Sequence, residues 1–82
     1  MNGAWKIGGM YATTINHVDY YRCRFDGSTW VMALDSANRI GRIKTRVGEV
    51  VLIIADYLAE EMAIGILDGM TVFVWKDDVK KL

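Results

Sequence analysis

The 82-residue sequence predicts one small domain, mostly β, built around antiparallel hairpins. Three observations carry that expectation. Two Asp-Gly pairs, Asp26-Gly27 and Asp68-Gly69, each stand between runs rich in β-branched and aromatic residues. That is the form of a tight hairpin, because both turn residues tolerate positive φ. The aliphatic run Val50, Val51, Leu52, Ile53, Ile54 has the length of a strand. Proline is absent while glycine occurs eight times, so the turns rest on Gly, Asn and Asp.

In order along the chain, residues 1–9 read as a glycine-rich, flexible lead-in on which Trp5 alone can dock. Residues 10–16 read as the first strand, and residues 17–19 as a turn. Residues 20–25 and 28–34 flank Asp26-Gly27. With a two-residue loop, Cys23 faces Trp30 and Tyr21 faces Met32. Tyr21, Cys23, Phe25, Trp30, Met32 and Leu34 then share a core face, while Tyr20, Arg22, Arg24, Thr29 and Val31 face outward. Residues 35–41 form a loop. Residues 42–47 alternate, with Arg42, Lys44 and Arg46 on one face and Ile43, Thr45 and Val47 on the other. Residues 62–67 and 70–75 form the second hairpin, and residues 76–82 a charged, flexible tail.

A competing reading makes residues 47–67 one helix. Val47, Val50, Val51, Ile54, Leu58 and Met62 fall at helical spacing, and the product is an α+β domain with a helix across an antiparallel sheet. Leu52, Ile53 and Ile64 then lie near the polar stripe of Glu49, Asp56 and Glu60, which favours strands.

Hydrophobic residues make up 52% of the chain, too many for a disordered segment. A domain this short buries only roughly 60% of its unfolded surface, so surplus apolar side chains also point to a homodimer. No uncharged apolar run reaches the length of a membrane span, and the N-terminus lacks a signal-peptide layout. One cysteine, Cys23, excludes an internal disulfide. The expected setting is the cytoplasm of a cell or of a virus-infected cell.

The net charge is zero, but it is unevenly placed. Residues 22–46 hold six bases (Arg22, Arg24, Arg39, Arg42, Lys44, Arg46) against Asp26 and Asp35. Residues 47–68 hold Glu49, Asp56, Glu60, Glu61 and Asp68 and no base. Tyr20 beside Arg22 and Arg24 sets a stacking ring next to phosphate-pairing guanidiniums, the chemistry of single-strand binding. A solvated strand face that blocks edge pairing explains the same residues. The acids lack the spacing of a metal site. His17 has no partner ligand or nucleophile, Cys23 reads as a small core hydrophobe, and no glycine-rich loop precedes a helix. No catalytic residue, cofactor or metal is expected, and no enzyme.

These elements resemble the one-domain OB-fold translation initiation factors, bacterial initiation factor one and its eukaryotic and archaeal counterpart, initiation factor one-A. The resemblance covers about residues 10–67. It rests on Tyr11-Ala12 opening the first strand, Arg24-Phe25-Asp26-Gly27 at the first hairpin, Arg39 in the loop, Ile43, Gly48-Glu49-Val50-Val51-Leu52, and Asp56-Tyr57. It implies a small OB-like antiparallel barrel of five to six strands, and phosphate contacts at Arg39 and Arg42. The family's Gly-Lys-x-Arg-Lys loop is here Ser36-Ala37-Asn38-Arg39-Ile40, and the Asp68-Gly69 hairpin is extra.

The sequence therefore points to non-catalytic binding of single-stranded RNA or DNA, or of ribosomal RNA, as a translation initiation factor does. The residues expected to carry it are Tyr20, Arg22, Arg24, Arg39, Arg42, Lys44 and Arg46. The alternative is a small protein-interaction module or inhibitor, viral or mobile-element encoded, that meets a partner through exposed aliphatics (Ile53, Ile64) or its acidic segment.

Overall fold

The computed structural model describes residues 5–58 and 61–82. Its strands are β1 (Met10–Thr13), β2 (Val18–Tyr21), β3 (Cys23–Phe25), β4 (Trp30–Met32), β5 (Arg42–Thr45), β6 (Val50–Leu58), β7 (Met62–Leu67), β8 (Met70–Trp75) and β9 (Val79–Lys81). A single 3-10 turn, Lys76–Asp78, leads into β9. The protein is mostly β, and the span 47–67 holds two strands and not the alternative helix, with Ala59 and Glu60 outside the described residues.

Five antiparallel strands form the main sheet, in the order β8-β7-β6-β1-β9. The Asp68-Gly69 hairpin sets its most regular ladder. Asp68 (φ 55°) and Gly69 (φ 79°) both take the left-handed region, and Leu67 lies opposite Met70. A two-residue turn of that handedness matches the natural twist of the strands it joins. β6 pairs with β7 with register shifts at Ile54 and Tyr57. Such bulges add one unpaired residue and bend the strand.

The remaining strands form two ribbons, β2–β5 and β3–β4. β2 and β3 follow one another through Arg22, which bridges to Val72 of β8. There the chain divides its partners: Arg22 N–H donates to the Gly41 carbonyl, and its own carbonyl accepts from Ala33 N–H. Beside this bridge, the Thr71 hydroxyl of β8 donates to the Cys23 carbonyl of β3 at 2.7 Å, and among the described residues no strand ladder joins either ribbon to the main sheet. The expected barrel therefore does not close, and nine strands among the described residues stand in place of five or six.

Apolar side chains fill both faces of the β6–β7–β8 region. On one face Trp5, Tyr11, Tyr20, Val51, Ile53, Ala63, Leu67, Val72 and Val74 pack together, and the β2–β5 ribbon covers them with Val18 and Ile43. On the other, Cys23, Met62, Ile64 and Phe73 pack together under Trp30 of β4. Ile53 and Ile64 are fully buried, because each side of the sheet has a cover, so neither can serve as the exposed aliphatic contact expected of them.

The ends also differ from the expectation. Residues 1–4 of the lead-in lie outside the described residues, while Trp5 is buried with its ring 5.3 Å from that of Tyr11. The tail carries a strand: β9 pairs with β1, and Val79 packs on the core. No helix of the described residues is long and apolar enough to cross a membrane.

Candidate functional site

The first hairpin keeps its predicted faces but not its predicted loop. Cys23 lies opposite Met32 and Phe25 opposite Trp30, which leaves a four-residue loop of Asp26, Gly27, Ser28 and Thr29. The Asp26 side chain decides this. Its Oδ1 accepts from the Ser28 and Thr29 main-chain N–H groups, each at 2.9 Å. Those bonds hold the Asp26 carboxyl below its ordinary range. The shift from the two-residue loop is by two residues, so each side chain stays on its expected side.

Which side is buried differs. Tyr20 is buried and Tyr21 is exposed. Cys23 is also buried, three residues after Tyr20, so strict alternation breaks at the Arg22 junction. Burial, with Asp78 and Glu49 adding to it, pushes the Tyr20 phenol well above its ordinary pKa. Tyr20 therefore cannot offer its ring to a base. Phe25, Met32 and Leu34, expected in the core, are exposed. Cys23 is buried, and burial raises its thiol to about 11, which leaves it protonated and unreactive at neutral pH.

The six expected cations lie on separate segments. Arg22 is half-buried at the junction, its chain laid over Gly41, where an added β-carbon would stand 3.1 Å from Arg22 Cδ. Arg24 is exposed on β3 opposite Val31. Arg39, in the loop 33–41, pairs through Nε with Asp35 Oδ2 at 3.1 Å. Arg46 is exposed in the turn before β6, and its main-chain N–H donates to Glu49. Arg42 and Lys44 share the outer face of β5, and Arg42 lies 3.7 Å from Asp19. Such exposed pairs contribute about 0–1 kcal/mol, but they do reduce the free positive charge.

What the fold does assemble is an aromatic groove of about 460 Å³. Trp30, Val31 and Met32 of β4 line one side, and Tyr57, Met62, Phe73 and Trp75 the other, with Tyr21 at the β2 end. Tyr57 and Phe73 stand 5.0 Å apart and tilted by 53°, within the spacing of a favourable aromatic pair. None of the lining side chains is charged. Tyr21 joins this groove to the cationic face, because it lies directly opposite Arg42 across the β2–β5 ribbon. Sequence reasoning placed Tyr21 and Met32 in the core and gave Trp75 no role. The one available signal was nine aromatic residues in so short a chain.

Among the described residues no group of His, Cys, Asp and Glu is placed to hold a metal ion. No family model, curated protein or solved structure matches this chain.

Proposed function

We propose that the domain is a non-catalytic protein-binding module whose groove receives large apolar side chains from an extended partner segment. The supporting observation is the groove itself: four aromatic rings besides Phe73, two methionines, and no charged side chain. Aromatic residues and Met are the types enriched at interface centres, and methionine adapts to varied shapes. Trp75 and Met32 stand about half-exposed there, so apolar surface remains for a partner to cover. A micromolar complex requires about 8 kcal/mol, while one well-seated anchor contributes about 2–4 kcal/mol. One side chain is too little, and a segment that places several is sufficient.

Panning a random dodecapeptide display library against the protein tests this. Enriched peptides are expected to carry large apolar residues at alternate positions and to lose binding to the Trp75→Lys variant. Enrichment that is the same on Trp75→Lys overturns the reading.

A second reading is favoured by one specific contact. Tyr21, opposite Arg42 and beside Lys44 on the same face, joins a ring to two cations as single-strand binding needs. Under this reading the domain binds single-stranded RNA or DNA non-catalytically, the role the initiation-factor resemblance implies, with Tyr21 in place of Tyr20. Two phosphate contacts predict a fall in affinity of about sevenfold between 50 and 200 mM salt. Fluorescence anisotropy with a labelled oligonucleotide measures it, and absence of binding at low salt overturns it.

A further inference from the structure

Three consecutive residues of β4, Trp30, Val31 and Met32, line the groove. Neighbouring residues of a strand point to opposite faces, so a groove touched by all three runs along the strand's edge. That edge is free. Ala33 N–H donates to the Arg22 carbonyl, and Asp26 N–H to the Thr29 carbonyl, each at 2.9 Å. In an antiparallel ladder bonded pairs alternate, which makes Arg24 and Val31 the bonded pair between them. The main-chain groups of Trp30 and Met32 therefore point away from β3, toward the groove.

The edge is also unguarded. β9, which ends the main sheet on its other side, carries Lys80 and Lys81, and lysine on an edge strand discourages further pairing. From Ser28 to Leu34 the sequence STWVMAL has neither a charge nor a proline.

We infer that the groove is filled by strand β4 of a second copy of this chain, paired antiparallel about a two-fold axis at Val31. The inference rests on the groove being a protein-binding site. The pairing is self-complementary. Trp30 of each copy lies opposite Met32 of the other, and these are the residues whose main-chain groups face outward. The β3–β4 register extends that match into two cross-dimer rows, each Phe25, Trp30, Met32, Cys23, with the first two residues from one copy and the last two from the other. Both rows are wholly apolar, and they cover Met32, which is about half-exposed in one chain. The third row runs Arg24, Val31, Val31, Arg24. Its two arginines start three strand spacings apart, about 14 Å, beyond the reach of screened repulsion at physiological salt. A two-fold strand pair of this kind closes on itself and leaves no further edge for a third copy.

Sedimentation equilibrium of the full chain, from micromolar concentrations upward, is the test. The wild type is expected to reach twice the chain mass. Met32→Lys is expected to remain at one chain mass with an unchanged circular dichroism spectrum, since Met32 is already exposed. Val31→Cys places two thiols across a non-hydrogen-bonded pair, whose Cα spacing of about 4.5 Å lies within the range that disulfides span. Mild oxidation should then link the copies through residue 31, located by peptide mapping apart from the buried Cys23. A wild type of one chain mass at every concentration overturns the inference. So does a dimer that survives Met32→Lys and forms no link at residue 31, because that dimer uses another face. If the wild type is a monomer and display-selected apolar peptides still bind it, only the choice of partner has failed. If they do not bind either, the protein-binding reading has failed with it.

Discussion

The hydroxyl of Tyr20 lies 3.5 Å from the main-chain carbonyl of Asp78 and sets the β2–β5 ribbon against the turn that leads into β9. Its ring is 3% exposed, whereas Tyr21 next to it is 37% exposed. The two tyrosines therefore have separable roles. Tyr20→Ala should cost about 3–5 kcal/mol, as loss of a buried ring does. Tyr21→Ala should stay within about 0.5 kcal/mol of the wild type while weakening whatever the groove binds. Urea unfolding of the two variants checks the first pair of values, and peptide or oligonucleotide titration checks the second.

Asp78 is partly buried, and burial together with the neighbouring Asp77 raises its carboxyl above the ordinary value. A carboxyl raised in the folded state binds its proton more tightly there than in the unfolded chain. Ionisation then disfavours folding, and the cost appears as pH rises above the ordinary carboxylate value. Asp78→Asn should raise the melting temperature at neutral pH, with the gain fading as pH falls below that value. Asp26 and Asp35 have the opposite sign. Main-chain N–H groups of Thr29 and Ser28, and of Arg39 and Ala37, lower them. Their contribution is present above the ordinary carboxylate value and is lost as pH falls through their lower folded values. Thermal melts of Asp78→Asn and wild type across the acid range should converge at the low end.

Gly65 of β7 leaves no room for a side chain between β6 and β8. A β-carbon there would stand 2.5 Å from Val51 Cγ1, 3.0 Å from Val74 Cγ2 and 3.2 Å from the Leu52 carbonyl oxygen. Gly65 lies opposite Ile53 and Val72, both fully buried, so the neighbours have little room to give. Gly65→Ala should cost about 1–3 kcal/mol through overpacking, read as a lower urea midpoint with an unchanged slope. Gly69, at a positive φ with open space around it, is a contrasting site: substitution there acts through backbone strain alone.

The parts of the fold legible in the sequence are those fixed by local chemistry. Asp68-Gly69 determines its hairpin completely, because two residues of positive φ define both turn and register. Asp26-Gly27 marks a hairpin, but its length depends on a side-chain bond from Asp26 to Ser28 and Thr29 that the dipeptide does not announce. The helical alternative over residues 47–67 has a physical source. Bulges at Ile54 and Tyr57 insert extra residues into β6, so its apolar pattern departs from a period of two and takes on some helical spacings. The choice between Tyr20 and Tyr21 was not legible, since it turns on a long-range bridge from Arg22 to Val72. The groove was hidden for the same reason: Trp30, Tyr57 and Trp75 belong to three hairpins and meet only when one ribbon folds across the sheet.

Thr13 shows how the base of that arrangement is held. It is 1% exposed, and its hydroxyl donates to the Arg46 carbonyl while accepting from Glu49 N–H at 2.9 Å. Its main chain closes the same turn, accepting from Gly48 N–H at 2.8 Å and donating to the Glu49 carbonyl at 2.9 Å. One residue of β1 thereby satisfies the polar groups of the turn between β5 and β6, where Gly48 takes a φ of 92°. Thr13→Val keeps the shape and the main-chain bonds but removes the hydroxyl, leaving one carbonyl and one N–H without their partner. A buried polar group stripped of its partner costs about 1–3 kcal/mol. Thr13→Ser keeps the hydroxyl and should cost less than Thr13→Val, although it loses a buried methyl worth about 0.8 kcal/mol. If urea unfolding ranks Thr13→Ser below Thr13→Val, packing of the methyl dominates this site, and the turn does not depend on the hydroxyl.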